Sequence, residues 1–164
     1  MHVYCLFCQT QRARRIAELL EAWKIGRAFT PRVICRHRVQ GKTVDKPYDL
    51  LPGYVFLFAE EPVTDFSCFR KIDGVGHQVG RLEDQYELAG SDRVFAMQLL
   101  EMNGVLSPMA LVHEGENVRI LNPLFEDNRG IITDIEYKKQ RARVEFTFDD
   151  ERWVAWVAIN EMRE

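Results

Sequence analysis

Residues 49–58 read DLLPGYVFLF. Val55-Phe56-Leu57-Phe58 is strongly apolar and predicts a core strand over 54–59. Pro52-Gly53 ahead of it is a rigid turn signal. A core strand needs no special entrance. This one has Leu50 and Leu51 before the turn and an aromatic ring, Tyr54, at the joint.

Upstream, HVYCLFC at 2–8 reads as a strand with Tyr4 and Leu6 on one face and Val3, Cys5 and Phe7 on the other. A helix is predicted from Thr10 as N-cap, with Ile16, Leu19, Leu20 and Trp23 as its inner stripe and Gly26 at its C-terminal end. RVICRHRV at 32–39 alternates in the strand manner, and Gly41-Lys42 predicts a hairpin that pairs 43–48 back onto it. Downstream of 54–59, a short helix is predicted over 62–71. A strand follows around His77–Val79 between Gly74, Gly76 and Gly80. A last helix runs from Ser91 to Gly104, with Phe95, Gln98, Leu99 and Met102 inward. The order of elements predicts an antiparallel sheet flanked by helices, an α+β arrangement.

After Ser107-Pro108 the pattern changes. NVRIL, GIITDIEY, ARVEFTF and RWVAWVAI are short alternating runs, punctuated at Asn122-Pro123, Lys138-Lys139-Gln140 and Asp149-Asp150. They predict a small all-β barrel over 114–164, joined to a first domain at 1–106 by a linker at 107–113. Val118, Ile120, Ile131, Ile132, Val144, Phe146 and Phe148 are β-formers at period two, so the barrel is expected to stay β. Trp153 and Trp156 fall on opposite strand faces, one for the core and one for the surface.

The chain of 164 residues is 46% hydrophobic and 29% charged, ordinary for a globular protein. No apolar run approaches the roughly 20 residues of a membrane span, and Arg12, Arg14 and Arg15 follow the apolar start where a secretory signal would precede it with charge. A cytoplasmic monomer without a membrane contact is expected. Cys5 and Cys8 form a C-x-x-C, but Cys35 and His37 make a poor second ligand pair, so the cysteines read as small hydrophobes and no metal or cofactor is expected. The net charge of −3 is uneven: residues 1–106 carry 14 Lys and Arg against 13 Asp and Glu, and residues 107–164 carry 8 against 12. Neither part is the strongly basic body of a protein that binds nucleic acid through phosphates alone. Any such contact is expected to be local or partner-assisted.

The four histidines are scattered, and no nucleophile elbow, phosphate loop or dinucleotide fingerprint occurs, so catalysis is not expected. Binding suits the residues better. Arg32, Arg36, Arg38 and Lys42 gather on one hairpin, and Arg12, Arg14 and Arg15 on the first helix. Arg129, Lys138, Lys139, Arg141 and Arg143 surround another hairpin beside Tyr137, an RNA-contact candidate diluted by Glu136 and Glu145.

Three stretches in order resemble the NusG family of transcription elongation factors: VYCLFCQTQRARRIAELL, LLPGYVFLF, and GENVRILNPLFEDNRGIITDIEYKKQRARVEF with Gly130 at the motif's glycine. The short first helix and the hairpin length look closer to the specialised paralogs RfaH and LoaP. The resemblance implies an NGN domain that binds the clamp helices of bacterial RNA polymerase and suppresses pausing and termination in specific operons. It also implies a KOW domain that recruits a second partner: the ribosome through ribosomal protein S10, the terminator Rho, or nascent RNA.

Carried over by position, the clamp-helix dock is Phe7, Leu51, Pro52 and Tyr54, with Leu51 where the family has a phenylalanine. The resemblance places a gate-loop contact at Asp65 to Arg70, which match the paralogs poorly. Of the non-template DNA contacts only Arg15 carries over, and Arg12, Arg36 and Arg38 join it as nucleic-acid candidates from the charge clusters alone. Gln9 and Leu19 replace two of the paralog's DNA-contacting residues. In the KOW domain the implied contacts are Phe125, the ring that general factors present to S10 and Rho, and Lys138, Lys139, Arg141 and Arg143 toward RNA. Pro123-Leu124 and Asp127 replace the Gly-Pro pair and second glycine of that loop.

Overall fold

A computed structural model describes residues 1–79, 86–126 and 130–162. Arg129, Asp127 and Gly80 lie outside the described residues. The chain forms two compact units, one of Met1–Pro31 with Leu51–Leu100 and one of Arg32–Leu50 with Glu101–Glu164.

The first unit is built on β1 (His2–Cys8), β2 (Arg27–Phe29), β5 (Tyr54–Ala59) and β6 (Val75–Gln78) in the antiparallel order β2-β5-β1-β6. The central pair is in register from His2 opposite Ala59 to Phe7 opposite Tyr54. All six residues of β5 are buried, as a strand covered on both faces requires. On one face Tyr4, Leu6, Val55 and Leu57 join Ile16, Ala17 and Leu20 of α1 (Ala13–Ala22), together with Phe69. On the other face Phe29 packs against Phe56 and Phe58, with ring centroids 6.4 and 5.2 Å away.

The first helix starts later than the sequence suggests. Thr10 sits inside a 3-10 turn, Thr10–Arg12, and makes no cap. The stripe ends at Leu20, so Trp23 is exposed, and the left-handed residue after the helix is Lys24 (φ 59°). Gly26 serves a different end: a Cβ there would lie 2.1 Å from the Phe58 carbonyl oxygen, so glycine lets the returning chain approach β5.

The predicted 62–71 helix shrinks to α2 (Ser67–Arg70). Val63 N–H donates to the Tyr4 hydroxyl at 2.9 Å and holds the preceding segment off the helical path. Asp65 accepts from the Ser67 hydroxyl and from the Ser67 N–H, the latter at 2.9 Å, and these bonds, the hydroxyl's first, lower its carboxyl below the ordinary range. α3 (Gly90–Glu101) buries Phe95, Ala96 and Leu99 and ends at Asn103 and Gly104, both at positive φ.

In the second unit β3 (Arg32–Val39) and β4 (Lys42–Asp49) form a hairpin whose two-residue turn is Gln40-Gly41, one residue earlier than expected. Both have positive φ, 51° and 76°, as a primed hairpin turn demands. β7 (Val105–Leu106) adds in parallel to β3. Where a linker is predicted at 107–113, the chain runs instead as β8 (Met109–Glu114). Met109 and Leu111 are buried, so this apolar stretch has pairing partners and a core to enter.

β9 (Asn117–Leu121), β10 (Gly130–Glu136), β11 (Arg141–Phe148) and β12 (Glu151–Met162) complete a five-stranded sheet in the order β10-β11-β12-β8-β9. β8 and β12 are parallel and the other neighbours antiparallel. Asp149-Asp150 closes the β11–β12 hairpin with both φ positive, 54° and 59°. Ala142, Val144, Phe146, Phe148, Val157 and Ile159 fill the interior. Neither tryptophan is fully core or fully exposed: Trp153 donates to the Phe148 carbonyl, and Trp156 lies under the Arg141 guanidinium, 4.7 Å from its ring centre.

Hairpin β3–β4 belongs to the same unit as the barrel strands. Arg36 Nη1 donates to the Ile159 carbonyl at 2.8 Å, while its Nε donates to Asp45 at 2.8 Å. Gly130 also has a steric reason. A Cβ there would stand 2.8 Å from Cδ1 and 3.0 Å from Cβ of Phe125. Gly130→Ala is expected to push that ring out of place and cost about 1–3 kcal/mol, the usual range for overpacking, read as a lower midpoint in urea.

Candidate functional site

The turn of the opening stretch closes by a hydrogen bond from Tyr54 N–H to the Leu51 carbonyl at 3.1 Å. Pro52 takes the second position and Gly53, at φ +89°, the third, the arrangement of a type II turn. Gly53 also receives β1: its carbonyl accepts from Cys8 N–H at 2.7 Å, and a Cβ on it would lie 2.6 Å from the Cys8 carbonyl oxygen. The turn is therefore fastened to the end of β1, which fixes where Phe7 sits.

Phe7 is 36% exposed on a strand that is otherwise mostly buried. Its ring meets Tyr54 edge-on at 5.1 Å and lies 5.2 Å from the imidazole of His77, its register partner on β6. Such edge and tilted contacts hold an aromatic side chain in one orientation at a surface. Pro52 is exposed beside the turn. Two of the four candidate dock residues are not at the surface: Leu51 is 0% exposed and Tyr54 4%. Leu51 belongs to the core, and Tyr54 acts as the wall behind Phe7. The surface is a Phe7–His77–Pro52 patch. Sequence reading missed His77, because its place beside Phe7 depends on a strand pairing across 70 residues; the strand read around His77–Val79 was the available signal.

The candidate nucleic-acid arginines separate by their partners. Arg12 pairs with Asp73 at 2.6 Å, and Arg15 is an exposed residue of α1. Arg36 is held by Asp45, Ile159 and Asn160 and serves the second unit's structure. Arg38 is exposed near the hairpin tip. On β11, Arg141 pairs with Glu136 through two bonds at 3.2 and 3.1 Å; this pairing raises its pKa and lowers that of Glu136. Arg143 bonds Thr133 at 2.9 Å and Glu145 at 3.3 Å. Lys139 lies 3.4 Å from Glu136, while Lys138 is exposed at the tip of the β10–β11 hairpin beside exposed Tyr137.

Phe125 departs most from the expectation of an exposed ring. It is 7% exposed and packs edge-on against Phe146 at 6.0 Å. Asn122 explains why: its side chain accepts from Leu124 N–H at 2.9 Å and sets the 3-10 turn Pro123–Phe125 that rolls Leu124 and Phe125 inward. Burial pushes the Cys8 thiol up to about 12, so it is a neutral core group. Among the described residues no three His, Cys, Asp or Glu side chains gather as a metal site, and no helix is long and apolar enough to cross a membrane.

A family model described as "Transcription termination factor nusG" matches residues 1–106. The solved structure described as "Domain interaction in Thermotoga maritima NusG" is similar with a TM-score of 0.55 at 20% identity, over 96% of this chain and 93% of that one, which shows a common fold. No curated protein matches the chain. The α+β sheet unit, the β barrel that follows it and a family match covering well over half the residues agree: this chain belongs to the NusG family of transcription factors.

Proposed function

We propose that the protein is a non-catalytic, operon-specific elongation and antitermination factor that rides on RNA polymerase in the cytoplasm. The observation that carries this reading is Phe7: an exposed ring braced by Tyr54 and His77 at the mouth of an otherwise buried sheet. A few rigid aromatic anchors dominate helix-in-groove contacts, and the clamp helices of the polymerase are the partner the family resemblance supplies. The barrel then works by effective concentration, since a weak contact becomes intramolecular once the other unit is anchored.

For the barrel's partner, the burial of Phe125 favours RNA over S10 or Rho, because the ring that would meet those proteins is packed on Phe146. Lys138, Lys139 and Tyr137 at the β10–β11 tip offer charge and a stacking face instead. A polymerase pull-down tests the anchor. Phe7→Ala is expected to weaken capture at least about 30-fold, the loss of a hot-spot residue of roughly 2 kcal/mol, while Phe125→Ala acts only through stability. Equal capture by the Phe7→Ala protein would remove the dock from this surface.

A further inference from the structure

A cavity lies apart from the Phe7 surface. It lies in the second unit, has a volume of about 260 Å³, and is lined by Cys35, His37 and Tyr48 from the β3–β4 hairpin and by Arg141 and Trp156 from β11 and β12. Its walls are flat groups. On the hairpin side the rings of His37 and Tyr48 lie 5.2 Å apart, and Tyr48 is 44% exposed. On the barrel side the Arg141 guanidinium lies over the Trp156 ring, and Glu136 holds it there by two hydrogen bonds. Aromatic rings and an oriented guanidinium plane are the surfaces on which unpaired bases stack.

Two further observations choose the occupant. His37, a lining residue, has its Nε2 buried without a hydrogen-bond partner among the described residues, a rare condition for a buried polar atom. Lys46 is the register partner of Cys35, and Lys42 of Val39, so both lysines share the hairpin face of His37 and Tyr48 and are exposed. Residues directly opposite in an antiparallel pair lie on the same face, so the two lysines share the strand face that lines the cavity, while the lining carboxylate of Asp49 is paired with Arg32 at 3.3 Å. The volume falls below the roughly 300–1,000 Å³ of pockets for larger ligands, which suits one planar ring.

We infer that this cavity takes one unpaired nucleobase of single-stranded nucleic acid, stacked between the Tyr48–His37 wall and the Arg141–Trp156 wall, with Lys46 and Lys42 on the flanking phosphates. This deepens the reading of the second unit as the nucleic-acid arm and rests on it. It makes the β3–β4 hairpin part of the RNA-facing surface and gives Arg141 the role of a stacking plane.

The test is a titration of the full chain with seven-nucleotide oligonucleotides carrying 2-aminopurine at the centre, in ribo and deoxy forms, against the same strands made abasic there. The wild type is expected to quench the 2-aminopurine fluorescence and to bind the base-bearing strand about tenfold more tightly than the abasic one. Tyr48→Ala and His37→Ala are expected to erase that difference without changing affinity for the abasic strand. Lys46→Ala weakens both strands and flattens the salt dependence. A preference for the ribo form identifies RNA as the source, and equal affinities identify any single strand. Equal binding of base-bearing and abasic strands by the wild type overturns the proposal. So does Tyr48-dependent binding of an indole-bearing peptide with no oligonucleotide binding, which makes the occupant a protein side chain. Polymerase capture is scored on the same proteins. Capture without oligonucleotide binding overturns the pocket alone, and oligonucleotide binding without capture overturns the polymerase reading alone.

Discussion

Gly53→Ala is expected to lower the stability of the first unit by roughly 3 kcal/mol. Two costs combine. A non-glycine residue at φ +89° costs about 1–2 kcal/mol in the left-handed region. The new Cβ would also stand 2.6 Å from the Cys8 carbonyl oxygen, a backbone atom that no side-chain rotation can move. Relief requires the turn to draw away from β1, which strains the Cys8 N–H to Gly53 bond, worth about 0.5–1.5 kcal/mol. Thermal denaturation reads this as a fall in Tm of roughly 10 °C or more for a unit of this size. Since the same turn sets Phe7 and Tyr54, polymerase capture falls with it even below the transition temperature. A Tm within about 2 °C of wild type would mean that the turn does not have this geometry.

Phe146→Ala is the second large effect. Phe146 is fully buried and supports Phe125 from the facing strand. Truncating a core phenylalanine costs about 3–5 kcal/mol, a large share of the 5–15 kcal/mol that small domains possess. The second unit is expected to melt early or to be unfolded at 37 °C. Phe146→Leu, which keeps much of the volume, is expected to cost far less. Near-ultraviolet circular dichroism of the full chain against temperature separates the two variants. An Ala variant that melts with the wild type would place Phe146 outside the core.

What the sequence made legible followed from local periodicity. The strands over 2–8, 32–39 and 54–59, the last helix and the short strands after 114 all carry their own pattern of apolar residues, and each forms. The misreadings share a cause: the deciding contact is distant in the chain. The first helix loses its start to a 3-10 turn, and Trp23 lies one turn beyond the last residue with a sheet to cover. Val63 is kept out of a helix by the hydroxyl of Tyr4, 59 residues away. Leu51 and Phe125 both sit in motifs where the resemblance implies surface contacts, yet both are buried, because the Leu51 carbonyl and the Asn122 side chain set turns that point them inward. No local pattern distinguishes an apolar residue beside a turn that faces solvent from one that faces the core. Arg36 shows the same limit for charge: an alternating strand face reads as a polyanion surface, while Ile159, 123 residues later, takes its guanidinium as a structural tie.

The Phe7 surface is tested most directly by placing a photoreactive phenylalanine analogue, p-benzoylphenylalanine, at position 7 and irradiating the full chain with core RNA polymerase. The expected product is a crosslink to the clamp helices, absent when the analogue replaces Leu51, which is buried, and lost when unlabelled wild type competes. A polymerase crosslink from Tyr137 or Lys138 with none from position 7 would contradict the assignment and move the polymerase contact to the barrel.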